Sequence, residues 1–271
     1  MKLRTKTKIN TFFATLFMLV YLFPIFWMVS SSFKTQKEII SLKLIPGKLR
    51  LDNYIKIIKN ADLEKWLSNS FVVTVFATLL LCFIAMFAAY ALSRMKFKGR
   101  KALIIIAMSG FMIPGQATMI PLFLLLKDLN LVNTLFGLII IHVASPVAVF
   151  VLMQFFKGIS NEYEEAARLD GAGELHILFK IMIPLAIPSV ITIATVHFSW
   201  IWNDFFWPLI LSTDSDLYTL PIGLTHLAST GIDITYAPVM AASVLTTLPV
   251  VMIFFIFQKY FMRGIAMGGM K

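Results

Sequence analysis

The chain has 271 residues, of which 59% are hydrophobic and only 14% are charged, and its mean hydropathy is +0.83. Soluble domains carry about 25% charged residues, so this composition argues against a water-soluble enzyme. Lysine and arginine outnumber the acidic residues by 24 to 14, a formal net charge of +10. Cys82 is the single cysteine and the four histidines lack metal-ligand spacing, so we expect no disulfide framework, metal site or catalytic residue. This is the composition of a membrane protein.

Six segments of 23 to 28 residues contain no charged side chain, and each is long enough to cross a bilayer as an α-helix. Helices are required because lipid offers no partner for exposed backbone N–H and C=O groups. The segments lack the alternation of barrel strands and are too long for them. The sequence predicts an all-α membrane protein with six transmembrane helices after a basic N-terminus at residues 1–8. The predicted spans are residues 9–33, 68–93, 102–126, 133–156, 183–211 and 236–258.

Lysine and arginine are distributed unevenly among the segments that connect these spans. The two termini and the second and fourth connections carry 15 basic residues, whereas the third and fifth connections carry only Lys127. Because basic residues remain on the cytoplasmic side, both termini are predicted to be cytoplasmic. This distribution accounts for most of the net charge, so membrane lipid is an expected partner and nucleic acid is not.

The first connection, residues 34–65, is an exception, because it holds eight basic residues against four acidic ones on the predicted outer side. Its apolar residues follow helical spacing, which predicts an amphipathic helix lying on the outer face. These residues are Leu51, Tyr54, Ile55 and Ile58.

In the third predicted span, Pro114 and Pro121 are expected to interrupt the helix and free backbone carbonyls for a cavity or a hinge.

The most polar cytoplasmic stretch, residues 160–175, lies between the fourth and fifth spans. Ser160 or Asn161 is a suitable N-cap, and Gly171 permits a sharp exit. Ala166 and Ala167 allow a second surface to approach closely. The stretch predicts a short, rigid helix that receives force from a cytoplasmic partner, and on these residues alone a solvated connector is an equal alternative.

One pattern in this stretch resembles the EAA signature, EAA-x3-G-x9-I-x-L-P, of the membrane subunits of bacterial ATP-binding-cassette (ABC) importers. It consists of Glu165-Ala166-Ala167, Gly171, Ile181 and Ile183-Pro184, with Ile183 in place of the usual Leu. The C-terminus, residues 258–271, is similar to the tail of carbohydrate-importer permeases, in particular the maltose-type second subunit. Ala266 and Met270 replace the usual Thr and Val there. The similarity covers about residues 66–271.

This resemblance implies a type I ABC importer permease fold, with residues 9–261 as a single permease domain, 160–175 as a coupling helix and 262–271 as a cytoplasmic tail. In the family, the coupling helix docks into the ATPase subunit, where the glutamate that matches Glu165 pairs with a basic residue. The implied coupling residues are Glu165, Ala166, Ala167, Arg168, Asp170 and Gly171. The implied tail contacts are Arg263, Gly264, Gly268 and Lys271.

The resemblance also implies the partners, namely a second homologous permease, two ABC ATPase subunits and an extracytoplasmic solute-binding protein, at a bacterial inner membrane. The chain contains no G-x-x-x-x-G-K-[ST] phosphate loop. ATP and magnesium are therefore expected on the partner ATPases, with no cofactor and no enzymatic activity on this chain. Attraction to an acidic binding protein is one hypothesis for the basic first connection.

Polar residues in membrane spans are candidates for a substrate pathway. Here they are Gln116, His142, Trp200, Asn203 and Asp204. Aromatic rings stack on sugar faces, and amide or carboxylate groups bond hydroxyls. The alternatives are an interfacial aromatic belt for Trp202, Phe206 and Trp207, and a bridge between two helices for His142.

The predicted function is the import of a sugar or an oligosaccharide. A glycerol-phosphate importer, or an importer of another small polar solute, is the alternative within this class, although no predicted span contains the Lys or Arg that an anion requires. A self-contained secondary carrier is the alternative from a different class, but the two halves of the chain lack matching broken helices. An intramembrane enzyme is disfavoured because His142, His197 and Asp204 are dispersed in the sequence.

Overall fold

The computed structural model describes residues 2–60, 62–229 and 236–268, with side chains over 10–59, 62–228 and 236–259. The described residues contain α-helices, two 3₁₀ turns and one π-helical turn, and no β-strand. The predicted all-α fold class is confirmed. The α-helices are α1 Lys2–Ser32, α2 Gln36–Ile40, α3 Asp52–Asn60, α4 Leu63–Arg94, α5 Arg100–Ser109, α6 Gly115–Asp128, α7 Leu135–Ile140, α8 Pro146–Gly158, α9 Glu162–Leu169, α10 Glu174–Ile177, α11 Ile183–Trp202, α12 Phe206–Leu211, α13 Leu220–Ser229 and α14 Tyr236–Gly268.

Four helical stretches in the described part of the chain are long and apolar enough to cross a membrane without a break: Asn10–Ser32, Leu63–Arg94, Glu174–Trp202 and Tyr236–Lys259. They fall on the first, second, fifth and sixth predicted spans. The third of these stretches joins α10 to α11 through a π-helical turn, Leu178–Met182. The remaining two predicted spans are not straight helices.

The third predicted span is a pair of helical segments, Arg100–Met112 and Gly115–Asp128, that meet at 106°. Ile113 is extended, with φ −96° and ψ 113°, which is the conformation favoured before a proline. Pro114 then precedes α6 and cannot donate a backbone hydrogen bond. The predicted interruption therefore occurs at Pro114. Pro121 lies inside α6, so the prediction of a second break there was wrong.

The fourth predicted span, 133–156, is divided into α7 and α8. Ser145 is extended, and its hydroxyl accepts a hydrogen bond from the Ala148 N–H at 3.2 Å. Pro146 occupies the first turn of α8, where a missing N–H costs nothing. The apolar residues on both sides conceal this Ser-Pro start signal in the sequence.

Tertiary contacts divide the chain into two compact units. One unit comprises Met1–Lys65 and Leu220–Pro249, and the other comprises Trp66–Thr219 and Val250–Lys271. The core of the second unit is formed by α4, α8 and the helices from α10 to α11. Small buried residues let these helices approach closely, as is usual in membranes. They are Ala85, Ala89, Ala148 and Ala186, packed with Leu152, Phe156 and Met182.

In the first unit, the connection after α1 is folded back on the end of that helix. The Asn53 side chain donates hydrogen bonds to the carbonyl oxygens of Ser32 and Lys34, at 2.8 and 3.0 Å. The predicted amphipathic helix is α3, but its buried side chains are Asn53 and Ile57. Leu51, Ile55 and Ile58 remain exposed.

Candidate functional site

The polar segment between α8 and α11 folds as α9, a turn and α10, so the helix is shorter than the predicted 160–175. Asn161 occupies the N-cap position but does not cap through its side chain. Its amide oxygen instead accepts a hydrogen bond from the Arg94 guanidinium. Gly171 follows the C-cap of α9 with φ +81°, a left-handed conformation that glycine adopts without strain. The predicted exit at this glycine is observed.

A buried ion pair anchors α9 to the rest of its unit. Arg94 Nε lies 3.2 Å from Glu164 Oε1, and the two side chains are only 6% and 4% exposed. The same guanidinium donates to the carbonyl oxygens of Phe156 and Ile159, at and just after the end of α8. Removing one partner from such a buried pair leaves an uncompensated charge. Arg94 therefore ties the end of α4, the end of α8 and α9 together.

A second set of contacts fixes the other side of α9. Arg168 Nη2 lies 3.3 Å from Glu164 Oε2, and its Nε donates to Glu174 Oε1 at 3.0 Å. The Tyr90 hydroxyl donates to Glu174 Oε2 at 2.6 Å. The hydrogen bond to Glu174 raises the pKa of the Arg168 guanidinium. Arg168, predicted as a coupling residue, is thus engaged within its own subunit.

The outward surface of α9 carries part of the predicted motif. Glu165, Ala166 and Asp170 are exposed. Ala167, which was expected to let a second surface approach closely, is 9% exposed and packs in the core of its own unit. Tyr163 and Leu169 are 54% and 89% exposed, and the sequence reasoning missed both. The exposed surface of α9 and its C-cap therefore offers two carboxylates, Glu165 and Asp170, together with the apolar side chains of Tyr163 and Leu169.

The sequence reasoning also missed the role of Glu164, which it treated only as part of a polar stretch. Its burial could have been predicted from helical spacing, because residues three and four apart share a helix face. Glu164 and Ala167 follow that spacing and form the buried, inward face, whereas Glu165 lies on the other side. The identity of Arg94 as the partner has no comparable local signal, since 70 residues separate the two.

A cavity of about 320 Å³ lies at the break between α7 and α8, beside the end of α11. His142 Nε2 lies 3.3 Å from Asp204 Oδ2, with the two side chains 15% and 17% exposed. Ser145 Oγ lies 3.2 Å from His197 Nε2, and the Trp200 ring packs edge-on against His197 at 5.0 Å between centroids. The lining residues are Ile141, His142, Ala144, Ser145, Pro146, His197, Trp200, Ile201, Asp204 and Trp207.

Three of the five predicted pathway residues, His142, Trp200 and Asp204, line this cavity, and Gln116 and Asn203 do not. Asn203 donates its side-chain hydrogen bond to the Ser199 carbonyl oxygen, one turn earlier in α11. The contact between His142 and Asp204 joins the α7–α8 break to the end of α11, which is the bridging role considered for His142.

The aromatic-belt interpretation does not hold for every residue that it covered. Trp202 is 3% exposed and stacks on Phe198, so it is a core residue. Trp207 lines the cavity, and Phe206 is exposed.

The predicted tail contacts are only partly described. Helix α14 continues to Gly268, so the backbone at Arg263, Gly264 and Gly268 is helical. The side chain of Arg263 and the whole of Lys271 lie outside the described residues.

Comparison with known proteins identifies the family. The model for the binding-protein-dependent transport system inner membrane component matches residues 82–267. The arabinooligosaccharides transport system permease protein AraQ of Bacillus subtilis (strain 168) is 36% identical over 266 residues, which is 96% of this chain and 94% of that protein. The diacetylchitobiose uptake system permease protein NgcG of Streptomyces coelicolor is 34% identical over 257 residues, or 93% of this chain and 85% of that protein.

A solved structure shows the same fold. One chain in the crystal structure of a bacterial ABC transporter involved in the import of the acidic polysaccharide alginate superposes with a TM-score of 0.86. The two chains are 27% identical, and the match covers 95% of this chain and 97% of the other. The chain therefore belongs to the family of binding-protein-dependent transport system inner membrane components and is a permease subunit of an ABC importer.

Proposed function

We propose that this subunit conducts a sugar or an oligosaccharide that a solute-binding protein delivers from outside the cell. The relatives named for arabinooligosaccharides and diacetylchitobiose support a carbohydrate substrate. The cavity supports the same class, because Trp200 and Trp207 offer apolar ring faces and His142 and Asp204 offer hydrogen-bonding groups. None of its lining residues is Lys or Arg, which favours a neutral sugar over a phosphate ester.

The energy for transport comes, in this proposal, from two ABC ATPase subunits that bind ATP and magnesium, and a second homologous permease completes the pathway. This chain is then a transport subunit with no hydrolytic site, in keeping with the absence of a phosphate loop from its sequence. The distribution of basic residues supports cytoplasmic termini, which places α9 on the same side as the ATPases.

The observation that supports the proposal most strongly is the way α9 is attached to the other helices of its unit. Its inward face is held by the buried pair of Arg94 and Glu164, while Glu165 and Ala166 are exposed on its outward face. A short helix that is fixed in this way moves together with α4 and α8. Displacement of α9 by an ATPase is therefore passed to the membrane helices rather than absorbed by a flexible loop.

The first experiment is mass spectrometry of the proteins that co-purify with the tagged chain in mild detergent. A second permease and an ABC ATPase are the expected partners. Recovery of the chain alone, under conditions that preserve a known importer, contradicts the proposal and favours a secondary carrier.

The second experiment tests α9 directly by ATP-driven uptake in proteoliposomes. Glu165→Gln removes the exposed charge. We expect uptake to fall about tenfold or more, because one charge-assisted contact to the ATPase is lost. Glu162→Gln is the matched control, because Glu162 is an exposed glutamate in the first turn of the same helix. Equal uptake by both variants argues against an ATPase contact at Glu165.

The third experiment tests the cavity. We expect Trp200→Ala and Asp204→Asn to raise the KM for sugar uptake about tenfold, since each loses a contact to the substrate. Phe206→Ala is the control, because Phe206 is an exposed aromatic residue outside the cavity lining. Transport of arabinooligosaccharides, chitobiose, maltose and glycerol phosphate is then compared, and a preference for glycerol phosphate contradicts the sugar assignment.

A further inference from the structure

A second cavity, of about 170 Å³, lies in the first unit, between the connection after α1 and the start of α14. Among the residues that the structure describes, three basic residues, Lys34, Arg50 and Lys56, and one acidic residue, Asp52, line it. Arg50 and Asp52 form a partly exposed ion pair, with Nη1 3.7 Å from Oδ2. The lining therefore carries a net positive charge.

Lys34 is the unusual member of this set. The residue is 1% exposed, and its Nζ has no hydrogen-bond partner among the described residues. The ammonium lies 4.1 Å from the centre of the Trp27 ring, a cation–π contact that replaces only part of its hydration. Burial lowers the pKa of Lys34, and nearby Glu38 partly opposes this shift. A buried ammonium without a hydrogen-bond acceptor is costly, so this side chain favours an anion.

Glu38, whose charge raises the pKa of Lys34, does not serve as that acceptor. Glu38 Oε2 accepts from the Thr35 backbone N–H at 2.9 Å, and its Oε1 accepts from the Gly47 N–H at 2.9 Å. These bonds hold the pKa of Glu38 at about 2. Both carboxylate oxygens are thus committed to the backbone of the connection.

The backbone around the cavity is also firmly held. Asn53 bonds the carbonyl oxygen of Lys34, and the Gln36 side chain accepts from the Tyr236 N–H at 2.8 Å. Tyr236 begins α14, whose next residues, Ala237 and Pro238, line the cavity. The N-terminus of a long helix carries a positive partial charge, which adds to that of the lysines.

We propose that this cavity is a carboxylate-binding site, in which Lys34 and Lys56 hold the anion and the N-terminus of α14 supports it. The identity of the ligand's source rests on the proposed function, under which the site faces the outside of the cell. The carboxylate then belongs either to an acidic side chain of the solute-binding protein or to a free acidic solute. Acetate is the simplest probe of the shared chemistry.

The test is a ¹⁹F NMR titration of the full chain, labelled with 5-fluorotryptophan and reconstituted in lipid nanodiscs. Trp27→Phe identifies the Trp27 signal, which senses the Lys34 ammonium. Acetate is expected to shift this signal in a saturable way, and sodium chloride or phosphate at equal ionic strength is not. In Lys34→Met we expect half-saturation to rise about tenfold or more, as for the loss of one charge-assisted contact. Lys59→Met, on an exposed lysine of α3 outside the cavity lining, is expected to titrate as the unaltered chain does.

Three results overturn the proposal: no shift with acetate, an equal shift with chloride or phosphate, or an unchanged titration in Lys34→Met. If the other tryptophan signals show that Lys34→Met is misfolded, Lys56→Gln replaces it, because Lys56 is an exposed member of the lining. An unchanged titration in that folded variant overturns the proposal equally.

Two further arms identify the source. If acetate weakens the stimulation of ATPase activity by the binding protein in the co-purified complex, the carboxylate belongs to that protein. If acetate leaves the stimulation unchanged and galacturonate shifts the Trp27 signal at lower concentration than acetate does, the carboxylate belongs to a solute. The NMR titration needs only this chain, so its failure is distinguishable from a failure of the ABC assembly.

Discussion

Two buried basic residues of this protein have opposite surroundings. Arg94, at the end of α4, has Glu164 as its counter-ion and bonds backbone carbonyl oxygens beyond it. Lys34, just after α1, is buried as deeply, but its ammonium lies against the face of Trp27 and has no hydrogen-bond acceptor within the described part of the chain. Both sit where a membrane helix ends.

This difference in partners distinguishes a charge with a structural role from a charge that is available to bind a ligand. A buried charge that has a counter-ion and further hydrogen bonds holds elements together, and much of its cost is offset inside the chain. A buried charge with an incomplete set lowers stability until something outside the chain supplies the missing acceptor. Arg94 is therefore interpreted as an anchor for α9, and Lys34 as part of a binding site.

The largest expected effect comes from breaking the Arg94–Glu164 pair. Glu164→Gln leaves the Arg94 guanidinium buried without its counter-ion, and we expect a loss of about 3–5 kcal/mol in the free energy of unfolding. The measurement is denaturant unfolding of the purified chain in detergent. Glu165→Gln, one residue away and exposed, is expected to change stability by less than about 0.5 kcal/mol.

The double variant Arg94→Met/Glu164→Met removes both charges, and we expect it to recover most of the lost stability. If Glu164→Gln unfolds at the same denaturant concentration as Glu165→Gln, the pair is not an anchor and the contrast with Lys34 fails.

A smaller effect is expected at the exit from α9. Gly171→Ala forces an alanine into a left-handed conformation, at a cost of about 1 kcal/mol, although the space around the glycine is open. Gly173→Ala is the matched control, because Gly173 is extended and equally uncrowded. Unfolding of the two variants under identical conditions gives the comparison, and equal stabilities would show that α9 does not require this turn.

The opposite sign is expected at Lys34. Lys34→Met removes a buried ammonium without an acceptor, which destabilises the folded state by about 2 kcal/mol. It also removes a cation–π contact, which stabilises the folded state by about 1 kcal/mol. We therefore expect the free energy of unfolding to rise by about 1 kcal/mol. Acetate, which is expected to bind the unaltered chain more tightly than Lys34→Met and so to stabilise it more, should reduce that difference. Lys59→Met controls for the loss of a surface charge. A destabilised Lys34→Met would mean that Lys34 is an anchor like Arg94.

The smallest effect concerns acid stability. The backbone bonds from Thr35 and Gly47 depress the pKa of Glu38 from 4.5 to about 2, so Glu38 favours the folded state fully above about pH 4.5. This contribution disappears as the pH falls from there toward 2. Unfolding measured across that interval is expected to be less pH-dependent in Glu38→Gln than in the unaltered chain. Glu64→Gln, on an exposed glutamate at the start of α4, is expected to retain the full dependence.

Much of the architecture was predictable, because charge-free length and helix-breaking residues act locally. The first, second and sixth predicted spans are continuous helices, whereas the helix of the fifth, predicted to reach residue 211, ends at Trp202. The break at Pro114 follows from its missing N–H. The break at Ser145–Pro146 was missed because both of its flanks are apolar, so the span looked continuous. Helical spacing predicts which residues of α9 share a face. It does not predict which of the two faces is buried, because that depends on the position of Arg94, which pairs with Glu164.

By itself the sequence determined the helical class, the family motif and the position of the short polar helix α9, since each depends on residues close together in the chain. Only the tertiary structure decided which charges are paired. Glu164 meets Arg94, and His142 meets Asp204, across 70 and 62 residues of chain. Such contacts depend on how helices pack, and helix packing is set by the summed fit of many side chains rather than by any short pattern.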